Sequence, residues 1–131
     1  MSGGTLSDNT ATSGAGFFGG AGDTPVKLTA VTIARNHATG AYGGAGILNE
    51  SALTMTGGSL RDNAAPVGPG GGVHSLQGSA TLVGVTVTGN SATEGGGVYK
   101  DSGTATALGG VFANSSPDNC APSGAVTGCS N

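Results

Sequence analysis

The sequence predicts an all-β chain wound as a right-handed, single-stranded parallel β-helix, a β-solenoid of about 4–5 rungs of about 25–27 residues with about three short strands in each. Three observations carry this expectation. Asn9, Asn36, Asn63 and Asn90 recur at intervals of 27 residues, each closing an apolar-x-x-Asn sequence. Val, Ile, Leu and Thr alternate in the runs before them, and a period of two belongs to strands rather than helices. Glycine supplies 28 of the 131 residues but follows no strict three-residue period, so it marks turns rather than collagen.

Taken in order, the chain enters the repeat at once. Residues 1–9 match residues 55–63 place for place, which puts Met1 in mid-turn and implies a native protein that continues upstream. The segment 14–23, with Phe17 and Phe18, is longer than its later equivalents and reads as a lateral loop on the solenoid flank. Stacking the copies then gives four inward columns: Val26, Leu53, Ala80 and Ala105; Leu28, Met55, Leu82 and Ala107; Val31, Gly58, Val85 and Gly110; and Ile33, Leu60, Val87 and Phe112. A further strand carries Ile47, Val73 and Val98 after the glycine clusters. One copy cannot bury its apolar edge alone, whereas turns stacked about 4.8 Å apart build a continuous narrow core. The last copy is short, so Ser115 rather than Asn114 takes the Asn position.

Residues 1–115 are therefore read as repeats and residues 116–131 as a C-terminal cap that must fold over the column of Val87 and Phe112. The cap holds Cys120 and Cys129, whose close spacing suits a local disulfide better than a metal site without His partners. A disulfide implies an oxidising compartment. Four basic residues against seven acidic ones leave no field able to neutralise a row of phosphates, which excludes nucleic acid as the expected partner. No apolar run approaches the length of a membrane span.

On these residues the chain resembles the right-handed parallel β-helix repeat proteins secreted by bacteria. The pairing of Gly-Gly-Ala-Gly-Ile or Gly-Gly-Gly-Val with a later apolar-x-x-Asn is also similar to the repeat of polymorphic outer membrane proteins, which are autotransporter adhesins. Only Phe112 supplies the Phe of the adhesin motif, and its Asn position is Ser115. The resemblance implies the fold and an extracytoplasmic, cell-surface setting; β-helices host lyases, glycosidases, adhesins and inert stalks alike.

Candidate chemistry is sparse. The asparagine column reads as structural, because an Asn amide can bond to turn backbone or to the Asn one turn away, and Asn tolerates left-handed backbone. Asp8, Arg35 and Asp62 share a column on three successive turns. They read as a charge ladder; alternatively Asp8 and Asp62 form the carboxylate pair of an inverting glycosidase, for which about 6.5–9.5 Å is needed. An Arg between them would keep both ionised, whereas a general acid needs a raised pKa. A pectate-lyase-like site needs carboxylates clustered for calcium, and the remaining acids, Asp23, Glu50, Glu94, Asp101 and Asp118, share no column. His37 and His74 read as exposed turn residues.

The outward column Thr5, Thr32, Ser59 and Thr86, and a second one at Thr54, Thr81 and Thr106, follow from β-propensity on a solvated face. A flat Thr ladder that orders ice is the other reading, although the Thr-x-Thr pairs sit at shifted positions. Asn49-Glu50-Ser51 and Asn114-Ser115-Ser116 match the glycosylation triplet. The expectation is thus a monomeric, secreted or cell-surface scaffold with a glycan or host surface as partner. No catalytic residue, cofactor or metal is expected, with a carbohydrate-active β-helix and an ice binder as alternatives.

Overall fold

The computed structural model describes residues 1–131 and is all-β, without a helix. The chain coils through about four turns, and parallel pairing stacks equivalent segments into four sheets. A long sheet is built from Val26–Thr29, Ala52–Thr56, Ser79–Val83, Thr104–Leu108 and Val126–Thr127. After a tight corner the second sheet follows, with Thr5–Ser7, Thr32–Ala34, Ser59–Arg61, Thr86–Thr88 and Val111–Ala113. The third consists of the two-residue strands Thr10–Ala11, His37–Ala38, Ala64–Ala65 and Ser91–Ala92. The fourth contains Phe17–Gly19, Ile47–Asn49, Val73–Ser75, Val98–Lys100 and Cys120–Ala121.

Four strands per turn replace the expected three. The extra sheet lies just after the asparagines, and two residues are too few to generate an alternating pattern. Its small side chains have a packing role: Ala38 and Ala65 form, with Ala45, a separate buried cluster that closes the narrow edge of the coil.

Register follows the predicted columns. Val26 pairs with Leu53, Leu53 with Ala80 and Ala80 with Ala105 in the long sheet; Ile33, Leu60, Val87 and Phe112 align in the second, and Ile47, Val73 and Val98 in the fourth. The inward members of these columns merge into one apolar core running along the axis. Each is short, so burial in one turn depends on the turns above and below it, as expected for a quasi-one-dimensional fold.

Two segments depart from the sequence reading. Segment 14–23 is not wholly a lateral loop: Phe17–Gly19 is a strand of the fourth sheet, Phe17 stands in the Ile47 column against the core, and only Phe18 faces out. The C-terminal cap is likewise not a separate cover: it carries strands of its own. It continues the coil, adding Cys120 and Ala121 beside Val98 and Tyr99, and Val126 and Thr127 beside Ala105 and Thr106. Cys120 and Val126 thereby enter the core, while Phe112 packs on it half-buried.

Candidate functional site

The corner between the second and third sheets is where the sequence repeat has its physical cause. The residue before each asparagine has left-handed backbone: Asp8, Arg35, Asp62, Gly89 and Asn114, with φ of 60°, 53°, 57°, 66° and 54°. The left-handed residue is thus the one preceding the asparagine rather than the asparagine itself. Asn114 falling in this series fixes Ser115 in the asparagine column, and the bridge of Ser116 to Ser91 gives the same register.

The asparagines form a side-chain ladder. Asn9 donates its backbone N–H at 3.1 Å and its Nδ2 at 2.9 Å to Oδ1 of Asn36. Asn36 does the same to Asn63, and Asn63 to Asn90, with all four distances between 2.9 and 3.0 Å. The remaining Nδ2 proton of Asn36, Asn63 and Asn90 goes to the carbonyl of Leu6, Ile33 and Leu60 respectively, in the turn below. Asn36, Asn63 and Asn90 are fully buried, and satisfying buried amides in this way is what makes them tolerable in a core.

The ladder ends at Ser115, whose backbone N–H is taken by Oδ1 of Asn119 at 3.2 Å. Asn131 finishes the adjoining edge: its Oδ1 accepts the Cys120 N–H at 2.7 Å and its Nδ2 donates to the Cys120 carbonyl at 2.9 Å. These two side chains imitate the backbone of a further turn. Sequence reasoning missed both, and their only signal was the return of Asn in a segment without the repeat. Cys120 and Cys129 are joined in a disulfide, with Cα atoms 6.4 Å apart.

Arg35 commits itself to one acid. Its Nε donates to Asp8 Oδ1 at 2.8 Å and its Nη2 to Oδ2 at 2.7 Å, a two-pronged pair. The Arg35 hydrogen bonds hold the Asp8 carboxyl down at about 2, helped by Ser7. Asp62 turns instead toward Arg61, 3.6 Å away. The structure thus keeps Asp8 ionised across the physiological range, which is the wrong state for a general acid.

His37 is exposed, but His74 is not the exposed turn residue that its position suggested. It lies on the outer side of the fourth sheet between Leu48 and Tyr99, only 2% exposed, because the glycine-rich loops fold over that face. Its Nδ1 bonds to the Tyr42 carbonyl, and its ring meets that of Tyr99 edge-on at 5.3 Å. Two further assignments change. Glu50 and Asp101 do share a column, two turns apart, each following the end of a fourth-sheet strand. Asn49 is fully buried with its amide given to the Ser51 and Ser79 carbonyls, whereas Asn114 is exposed.

The outer face of the long sheet carries the most regular surface of the molecule. Lys27, Thr54, Thr81, Thr106 and Thr127 stand in register on successive strands, Thr127 being contributed by the cap. No cavity interrupts the surface, no cluster of three or more potential metal ligands is present, and no helix is long and apolar enough to cross a membrane. No protein-family model, curated protein or solved structure matches the chain.

Proposed function

We propose that this chain is a non-catalytic scaffold of secreted or cell-surface type, akin to a bacterial adhesin or stalk module, that presents its flat strand faces to a glycan or host surface. The observation carrying this reading is the long-sheet face, in which one hydroxyl-bearing column runs through four successive strands from Thr54 to Thr127. Such a face suits an extended partner that repeats along the axis better than a small molecule, which prefers a concave site. The disulfide supports an extracytoplasmic setting. The two-pronged grip of Arg35 on Asp8 weighs against the glycosidase alternative.

Binding of the labelled protein to a glycan array and to intact cells tests the proposal, with Thr81→Lys as the control that places a charge at the centre of the face. Loss of binding in this variant supports the reading, and wild-type binding in it moves the partner elsewhere. An ice-binding role is the second reading, favoured by the same Thr column, and thermal hysteresis that Thr81→Lys abolishes would replace the first. Turnover of polygalacturonate or another glycan that Asp62→Asn removes would overturn both.

A further inference from the structure

The two ends of the coil are finished differently. At the C-terminal end the ladder's last backbone donor, the Ser115 N–H, is spent on Asn119 Oδ1, and Asn131 closes the neighbouring strand by bonding both backbone groups of Cys120. At the N-terminal end no side chain plays that part. Leu6, Phe17 and Val26 begin the core columns that continue through Ile33, Ile47 and Leu53. The three second members are fully buried, whereas the three end members are only half-buried, although they pack on the same core.

Asn9 is the unfinished rung of the ladder. Asn36, Asn63 and Asn90 each accept a backbone N–H and an Nδ2 proton at Oδ1 from the turn before, and each gives its own Nδ2 to a carbonyl of that turn, three residues before the donor asparagine. Asn9 is exposed; its Nδ2 bonds to Asn36, and its Oδ1 and second Nδ2 proton have no partner in the chain. The strand edge beside it is open as well. Gly4 and Asp8 bond toward the second turn, through the Thr32 N–H and the Ala34 carbonyl, so by the alternation of a parallel ladder Thr5 and Ser7 turn their backbone groups to the open side.

The seams between interior turns state what chemistry fits this end. An occupant must run a strand parallel to Thr5–Ser7, offer a carbonyl to the free Asn9 Nδ2 proton, and three residues later present an asparagine whose N–H and Nδ2 reach Asn9 Oδ1. That is an apolar-x-x-Asn turn. A second copy of this chain does not supply it: at its C-terminal end the ladder donor is already taken by Asn119, and at its N-terminal end the backbone N–H of Asn9 is already given to Asn36.

We propose that the N-terminal end of the coil is a docking face for the terminal turn of another β-solenoid module, which sets an apolar-x-x-Asn sequence parallel to Thr5–Ser7 and bonds its asparagine to Asn9. Strand addition of this kind draws affinity from main-chain bonds and specificity from the side-chain positions, here the asparagine and the apolar residues that cover Leu6, Phe17 and Val26. It lengthens the coil along its axis and leaves the outer face of the long sheet uncovered.

A synthetic peptide of residues 28–54, which holds Ile33 and Asn36 at the required spacing, serves as the probe. It is added to the full chain, up to about 1 mM, while amide hydrogen exchange is followed. Exchange at Thr5 and Ser7 should slow about tenfold, with Asn63 unchanged. The same peptide carrying Asn36→Ala should lose the effect, and so should the unaltered peptide on Asn9→Ala protein, whose fold is verified by its protection at Asn63. Unchanged exchange at Thr5 and Ser7, or an equal effect in either asparagine variant, overturns the proposal. Slowing that rises with protein concentration in the absence of peptide puts a second copy on the face and overturns it too.

Discussion

Asn63 Oδ1 receives both the backbone N–H and the side-chain Nδ2 of Asn36, a residue 27 positions earlier, each at 3.0 Å. The same amide donates to Asn90 Oδ1 and to the Ile33 carbonyl, so a single side chain ties three consecutive turns. Asn63→Ala strands the backbone N–H and a Nδ2 proton of Asn36 and removes a donor from the Ile33 carbonyl, while Asn90 Oδ1 keeps the backbone N–H of residue 63. The expected cost is about 3 kcal/mol, from one to three per unsatisfied buried group with partial relaxation. Asn9→Ala, at the exposed end, should cost under about 1 kcal/mol. Urea unfolding of the two variants checks the contrast, and equal midpoints would contradict a ladder role.

Gly57 and Gly58 make the corner after Ala52–Thr56, both with left-handed backbone, at φ of 62° and 80°. A Cβ at Gly57 meets open space, whereas one at Gly58 runs into the carbonyl of Val31 in the turn below. Gly57→Ala should therefore cost about 1–2 kcal/mol, the conformational penalty alone. Gly58→Ala adds a collision with backbone and should cost about 4 kcal/mol or more. Thermal unfolding of both decides it, and similar losses would mean the turns can move apart freely.

The Asp8–Arg35 pair predicts a titration. Asp8 should titrate at about 2 instead of the usual 3.8, and Arg35→Asn should return it toward that ordinary value. The folded pKa is depressed, so the pair's contribution is complete above 3.8 and disappears as pH falls toward 2. Both side chains are exposed, which keeps that contribution small and salt-sensitive. NMR titration of the carboxyl carbon gives the answer; an unshifted Asp8 in the wild type would remove the pair.

The disulfide holds the partial last turn, whose Asp118 and Asn119 carbonyls accept the N–H groups of Gly97 and Val98. A closed loop of about ten residues contributes roughly 3 kcal/mol in the chain-entropy model. Cys120→Ser, or reduction, should therefore strip exchange protection from Gly97 and Val98 first and leave Asn36 and Asn63 protected. Uniform loss along the coil would mean that the chain unfolds as one unit.

The core columns were legible because apolar alternation and a constant period report them directly, as the register of Leu53 with Ala80 and of Leu60 with Val87 shows. What escaped depends on contacts distant in sequence. The third sheet has strands such as His37–Ala38, too short to alternate. His74 occupies an outward position by pattern and is buried only because the loops carrying Tyr42 and Tyr99's neighbouring glycines close over it. Asn119 and Asn131 act through geometry that arises once the coil has stopped repeating. Asp62 sits in the column of Asp8, yet its choice of Arg61 over Arg35 is a matter of side-chain direction that column alignment does not carry.

The asparagine ladder also gives the molecule an electrical direction. Backbone dipoles in a sheet alternate and nearly cancel, but every ladder amide from Asn36 to Asn90 turns its oxygen toward the N-terminal turn and a nitrogen proton toward the C-terminal one, except where Ser115 breaks the series. Hydrogen-bonded amides in a row polarise one another. The row of side-chain amides thus carries a polarity of its own, with each Oδ1 from Asn36 to Asn90 facing the turn before it.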